Sequence, residues 1–307
     1  MAPKLAGPPA DQIELIERRF DALLEADLAN VAQGYYPREL LLQLPLSQYL
    51  RCIPQVLLEA PRVLMRSQKN RYDELPEALD LSAYPRYYRR NFHWQTDGWL
   101  SDHSARMYDM AVEVLFAGTA DIMRRMAIPP VIEATRTIER PRILDVACGT
   151  GRFLLQLQKA LPNAKYFGLD LSPFYLRFAS QQLRHVADLS LVSDNAEAMP
   201  FADASFDVVT TIFLFHELPR DARRNVAREM FRVLKPGGRL SFCDSAQRHE
   251  SAEIGAYLER FATIYHEPYY KSYLKDTVED LLREVGFEIE SATAHLVSKV
   301  VVARRPE

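Results

Sequence analysis

The sequence predicts an α/β fold, in which a seven-stranded and mostly parallel sheet follows an all-helical N-terminal segment. Three observations predict it. Apolar residues recur at three- and four-residue spacing up to about residue 140, and beyond it short apolar runs alternate with helical stretches. Two of those runs end in an acid just where a strand would give way to a turn and a helix. The chain has 307 residues, 48% of them hydrophobic, enough to bury one large core or two modest ones.

In chain order, residues 11–32, 39–65 and 104–126 carry the helical spacing. Pro45, Pro54 and Pro61 are expected to divide the second stretch into short pieces. That leucine-rich stretch allows a peripheral membrane contact, yet Arg51, Glu59 and Arg62 read better as the polar side of an ordinary amphipathic core helix. Strands are predicted at 142–147, 165–170, 189–193, 207–212, 239–244, 286–294 and 298–304, the last two close enough together to pair antiparallel. The chain shows no internal repeat and no low-complexity tract.

Composition narrows the function. A formal charge of −3 leaves no basic excess to neutralise phosphates, which argues against nucleic acid as the main partner. The N-terminal MAPKLAGPPADQ has no apolar signal core, and no apolar run is long enough to span a bilayer, so a cytoplasmic protein with no integral membrane segment is expected. Cys52, Cys148 and Cys243 are odd in number and lack C-x-x-C spacing, which fits a reducing compartment and neither a disulfide framework nor a zinc site.

The most specific segment is ILDVACGTGRFL at 143–154. A strand ending at Asp145 followed by a turn through Cys148, Gly149, Thr150 and Gly151 lets the backbone pass close to a ligand and aims the first amides of the next helix at it. An ordinary strand–turn–helix corner is the plain alternative. A dinucleotide site is the weaker reading, because its fingerprint needs a third small residue where this chain has Phe153 and Leu154. YFGLDLSP at 166–173 is a second apolar strand ending in an acid, Asp170, at the distance expected of the next strand in a βαβ unit. SDNAEAMPFADASFDVVTTIFLFHELP at 193–219 adds a polar turn, a strand and a loop with His216, and VLKPGGRLSFCDS at 233–245 adds a helix end, a turn and another strand.

These four motifs, in this order and spacing, resemble the class I S-adenosylmethionine-dependent methyltransferases, and most closely the branch that includes the ubiquinone and menaquinone C-methyltransferases. The resemblance covers about residues 140–305. It implies a Rossmann-like seven-stranded methyltransferase sheet with its last strand antiparallel, over residues 140–307 with a lid insertion at about 246–274, and a helical N-terminal cap or substrate domain over 1–139. S-adenosylmethionine is the implied cofactor. Gly149 and Gly151 would let the chain pass under its methionine part, and Asp145 would fix the loop and contact the amino group. Ala147 stands where many members have another glycine. Asp170, with Leu171 after it, would take the ribose hydroxyls, although a strand-end acid can also serve as a helix cap. Asn195 stands where the family often has Asp for the adenine amine, and its amide oxygen accepts the same bond or else forms a turn. Ala196 would offer a backbone amide to the adenine, and Ile212 a carbonyl near the methionine amine.

For the methyl acceptor the resemblance mainly excludes. The Asn/Asp-Pro-Pro-aromatic motif of DNA amino-methyltransferases, the Pro-Cys of cytosine C5 enzymes and the paired glutamates of protein arginine enzymes are missing from TTIFLFHELP, and no magnesium cluster of the catechol type is evident, so no metal is expected. His216, after the fourth strand, is the catalytic candidate: a neutral imidazole that accepts a proton as the methyl moves, or a loop histidine bonded to a carbonyl. Two aromatic-rich segments are expected to wall the acceptor pocket, 84–109 with Tyr87, Tyr88 and His93, and 261–274 with His266 and Tyr269. The sequence thus points to transfer of a methyl group to a small, partly apolar molecule, with a homodimer kept open. The alternatives are a different reaction of S-adenosylmethionine and a silent cofactor-binding subunit.

Overall fold

The computed structural model describes residues 10–43, 45–69 and 71–307. Helices α1 (Ala10–Ala32), α2 (Leu46–Gln68), α3 (Asp102–Leu115), α4 (Ala120–Arg125) and α5 (Ile128–Thr135) precede β1 (Arg142–Val146). Then follow α6 (Arg152–Ala160), β2 (Lys165–Asp170), α7 (Pro173–Gln182), β3 (Leu189–Ser193), β4 (Phe206–Ile212), α8 (Arg220–Val233) and β5 (Leu234–Ser245). Helices α9 (Gly255–Ile264), α10 (Tyr270–Lys275) and α11 (Val278–Val285) lead to β6 (Glu288–His295) and β7 (Ser298–Arg304).

The seven strands form one sheet in the order β3-β2-β1-β4-β5-β7-β6, with β7 antiparallel to both of its neighbours. The class expected from the sequence is the one observed. Strands β1 and β4 read as continuous apolar runs because helices cover both sides of a parallel sheet. Edge strand β6 has a mostly exposed pattern, as a strand with one free side allows. The order reverses beside β1, and there the ends of β1, β2 and β4 open a crevice of the kind in which such sheets bind ligands.

Two cores lie on the two faces of this sheet. One joins Val226 and Met230 of α8, Tyr273 of α10 and Leu282 of α11 to Leu144, Val209 and Phe242. The other joins Leu23 of α1, Met123 of α4, and Ile128 and Val131 of α5 to Ile143, Val208 and Cys243, so N-terminal helices share a core with the sheet. A buried ionic network fastens α3 and α4 to the glycine turn: Arg152 reaches Asp121 at 2.9 Å, Arg124 reaches Asp121 at 2.9 Å, and Thr150 donates to Asp109 at 2.8 Å.

Pro45 does divide residues 39–65, separating a short turn at Arg38–Leu42 from α2, but the other two prolines do not, and the core-facing reading fails. Helix α2 runs unbroken through Pro54 and Pro61, which are both exposed, so water can satisfy the Leu50 and Leu57 carbonyls that lose their amide partners. Its apolar side also faces outward. Leu46, Leu50, Ile53, Leu57, Leu58 and Leu64 are exposed, Leu58 by 76%, whereas Cys52 and Arg66 are buried. The helix is held through polar anchors, with Arg66 bonded to the Trp94 carbonyl and to Glu74, and the core-helix reading is therefore corrected. No helix among the described residues is long and apolar enough to cross a membrane.

Candidate functional site

The glycine turn follows β1 because only a chain free to enter left-handed conformations can reverse there. Ala147, Gly149 and Gly151 have φ of 59°, 53° and 76°. Ala147 takes this conformation at a cost that glycine would not bear. A Cβ on Gly149 would point into open space, whereas one on Gly151 would come within 2.7 Å of Leu183. Gly149 therefore faces the crevice, and Gly151, which does not line it, lets the turn pack on the Ala179–Leu183 segment.

The crevice is a cavity of about 1100 Å³ including its mouth. Asp145, Ala147, Gly149, Asp170, Leu171, Asn195, Ala196 and Ile212 all line it. Asp170, half-buried at the end of β2, accepts the Gly149 amide through one oxygen and the Ser172 amide through the other, both at 2.8 Å. Burial pushes its pKa up to about 6 against these two bonds, which favour the charged form. Ser172 is the cap of α7, so Asp170 supports a cap and the glycine turn while each oxygen keeps a lone pair for a ligand. Asp145 accepts from Thr210 at 2.7 Å, and among the described residues no hydrogen bond ties its side chain to the loop. Its pKa is raised to about 7 by burial, with nearby Asp170 adding to the effect against the Thr210 bond. Asn195 turns its amide oxygen onto the Glu197 amide at 2.9 Å, as its turn-forming alternative requires, and Asp194 beside it also lines the cavity.

A second cavity, of about 630 Å³ including its mouth, adjoins the first, with Tyr108 and Phe213 lining both. Val112, Leu115, Phe116, Leu258 and Phe261 give it an apolar wall, and His93, His216 and Glu267 a polar end. His93 sits on a turn with φ of 54°, a conformation seldom adopted by residues other than glycine and held here by the Asn91 amide bonded to the Glu74 and Gln95 carbonyls. His216 is buried, with Nδ1 2.6 Å from Asp244. Burial opposes its charge, but Asp244, Glu217 and Glu267 outweigh burial and raise its pKa to about 10. These carboxylates favour the charged imidazolium, whereas a general base must be neutral to accept a proton.

The proposed acceptor walls are only partly assembled. Tyr87 and Tyr88 line the first cavity, Tyr87 donating to Glu197 at 2.6 Å, and His93 lines the second. His266 and Tyr269 line neither: His266 is stacked against Tyr72 at 4.9 Å, and Tyr269 meets Tyr87 edge-on. Glu217 and Glu267 were missed, although each directly follows a singled-out histidine in FHELP and YHEPYY. A neighbouring acid was the available signal.

The profile of a methyltransferase domain matches residues 143–238, from β1 to the turn within β5. The chain carries a methyltransferase domain. Demethylmenaquinone methyltransferase of Thermotoga maritima is 28% identical over 208 residues, 62% of this chain and 87% of that protein. The corresponding enzyme of Deinococcus radiodurans is 39% identical over 138 residues, 44% and 54% of the two chains. Phthiotriol/phenolphthiotriol dimycocerosates methyltransferase of Mycobacterium leprae is 41% identical over 103 residues, 34% and 37%. The Thermotoga protein apart, this chain spans between 37% and 60% of the curated relatives named or ranked with these. The cofactor of this domain is S-adenosylmethionine, and the crevice fits it: an open glycine beneath, two carboxylates at the strand ends, and the Asp194–Ala196 turn beside Asp170.

Proposed function

We propose that this chain transfers a methyl group from S-adenosylmethionine to a small acceptor with an apolar body. One observation carries the reading: the crevice that holds every cofactor candidate except Gly151 shares Tyr108 and Phe213 with a second, apolar cavity, so a donor and an acceptor can be held side by side. S-adenosylmethionine when bound supplies a methyl group already activated on a sulfonium. The protein's part is then alignment and exclusion of water, which can supply much of the acceleration. Asp170 would hold the ribose hydroxyls, Asp145 the amino group, and the 194–196 turn the adenine edge. Val112, Leu115 and Phe261 would seat the acceptor's apolar part, with its reacting atom reaching the methyl group at the boundary lined by Tyr108 and Phe213. Relatives named for demethylmenaquinone and phthiotriol lipids suit an acceptor of this character.

In this reading residues 1–139 act chiefly on the acceptor side and 246–274 form a lid, supported by His93, Tyr108, Leu258 and Phe261 at the second cavity. We place the enzyme in the cytosol, in keeping with three free and buried cysteines. A homodimer belongs to the same proposal, supported by the exposed α2 stripe at three- and four-residue spacing, and a monomer in sedimentation would remove it. Calorimetry tests the core of the proposal: S-adenosylhomocysteine is expected to bind and NAD not. Tight NAD binding without a response to S-adenosylhomocysteine would reject it.

A further inference from the structure

Four ionisable side chains meet where the two cavities join, and they do not satisfy one another. His93 lies between two carboxylates, with Nε2 2.9 Å from Glu217 and Nδ1 3.1 Å from Glu267. The first contact is a hydrogen bond; the second has the length of one without its direction, because Nδ1 of His93 and both oxygens of Glu267 have no hydrogen-bond partner. Oε2 of Glu217 is likewise buried without one. Nε2 of His216 closes the group at 3.6 Å from Glu217 and 3.8 Å from Glu267. Glu267 is 3% exposed and Glu217 5%, so bulk solvent does not reach them. Unpaired buried carboxylate oxygens are costly, and several aimed into one space call for a cation that accepts all their lone pairs.

A second grouping of the same residue types shows what a closed cluster looks like. His249, Glu250 and Glu279 also come together, but the Lys299 ammonium binds both oxygens of Glu279 at 2.8 Å and also bonds Glu250. There the protein supplies its own cation. At His93, Glu217 and Glu267 no lysine or arginine is paired with the carboxylates in the hydrogen bonds and ion pairs of the described residues.

We propose that His93, Glu217 and Glu267 bind a divalent transition-metal ion, with Nε2 of His216 as a fourth donor. One ligand atom from each of the first three lies within 4.8 Å of the others. Donors about 2.0–2.2 Å from a common ion lie roughly 3–3.5 Å apart, so the site needs only a small contraction to close. Imidazole with carboxylate oxygens suits zinc, manganese or ferrous iron, and excludes a thiolate-seeking ion. Asp244, 2.6 Å from Nδ1 of His216, is the outer carboxylate that orients a ligating histidine. A ligating nitrogen must be free of its proton, so binding is expected to weaken as pH falls. Resting on the methyl-transfer reading, the ion's place at the polar end of the second cavity assigns the acceptor an oxygen donor, a hydroxyl or carbonyl that the ion would polarise.

The test titrates full-length, chelator-dialysed protein with Co²⁺, read by its visible absorption, then with Zn²⁺ in competition. One equivalent per chain is expected, with Glu267→Gln and His93→Gln each weakening binding by at least about tenfold, since even outer partners of a metal cost 10–100-fold. The exposed His249→Gln should bind as the parent does. Thermal melts identify any variant that fails to fold, and the isosteric Glu267→Gln then carries the comparison. Absence of Co²⁺ bands, or one equivalent bound alike by the parent and both variants, overturns the site. S-adenosylhomocysteine binding measured on the same samples separates the two proposals: its loss with Co²⁺ retained strikes the methyl-transfer reading alone.

Discussion

Asp170 shows how one side chain carries structure and ligand chemistry together. Its two oxygens hold the Gly149 and Ser172 amides, so Asp170→Ala strands two backbone donors as well as removing a ribose partner. A loss of about 1–3 kcal/mol in stability is expected, together with weakened S-adenosylhomocysteine binding in the molecules that remain folded. Chemical denaturation and calorimetry on the same variant measure both, and full stability with weakened binding would show that the amides find other partners. The strand-end acids were legible because a parallel strand must end at the ligand edge of its sheet, and their neighbours in sequence are their neighbours in space. Glu217 and Glu267 were not legible as a pair. They lie on different loops and meet only once the turn at 92–94 and the segment before α10 fold over the end of β4.

At the level of elements, periodicity told where the helices lie but not which way they face. The strands follow the predicted runs closely, because alternating parallel strands and helices leave little freedom of register. Helix α2 has a strong apolar side and turns it outward, and α4 does the reverse, burying Asp121, Arg124 and Arg125. A 3.6-residue period cannot distinguish these outcomes, because buried ions look like solvent-facing ones until their partners are known. The two elements therefore predict opposite responses. Leu57→Ser in α2 should change stability by less than about 0.5 kcal/mol, as exposed substitutions usually do. Asp121→Ala in α4 leaves Arg124 and Arg152 buried beside an empty place and should cost roughly 3–5 kcal/mol. Denaturant midpoints of the two variants decide it, and a large loss in Leu57→Ser would mean that α2 is covered in solution.

Over the whole molecule, several buried carboxyls and the paired histidines His93 and His216 are shifted upward, which outweighs the downward shifts of His266 and His295 in setting how stability depends on pH. Burial holds Asp145 near 7 and Asp170 near 6, and it also raises Glu113 and Glu267 above the usual carboxylate range. His216 is raised to about 10, its acidic neighbours outweighing burial, and His93 is raised in the same way by Glu267 and Glu217. Each of these groups holds its proton more tightly folded than unfolded, so each stabilises the fold fully below its unfolded pKa and loses that contribution as pH rises through its folded one. For the carboxyls the loss falls between about pH 4 and 7, and for His216 between about 6.5 and 10. Glu229 and Asp121 act oppositely: arginine partners lower them, and their contribution vanishes only as pH falls below the ordinary carboxylate range. The ligand-free protein should therefore be most stable near pH 5, and its melting temperature should be several degrees lower at pH 8, since about 1 kcal/mol moves a chain of this size by roughly 2–4 °C. Asp145→Asn, which keeps the shape and removes the titration, should flatten the curve between pH 5 and 7 and leave the fall above pH 7 in place. A melting temperature higher at pH 8 than at pH 5.5 would mean that these carboxyls reach a cation or water in solution that lets them ionise, and the Asp145→Asn and Glu267→Gln curves would show which of them does.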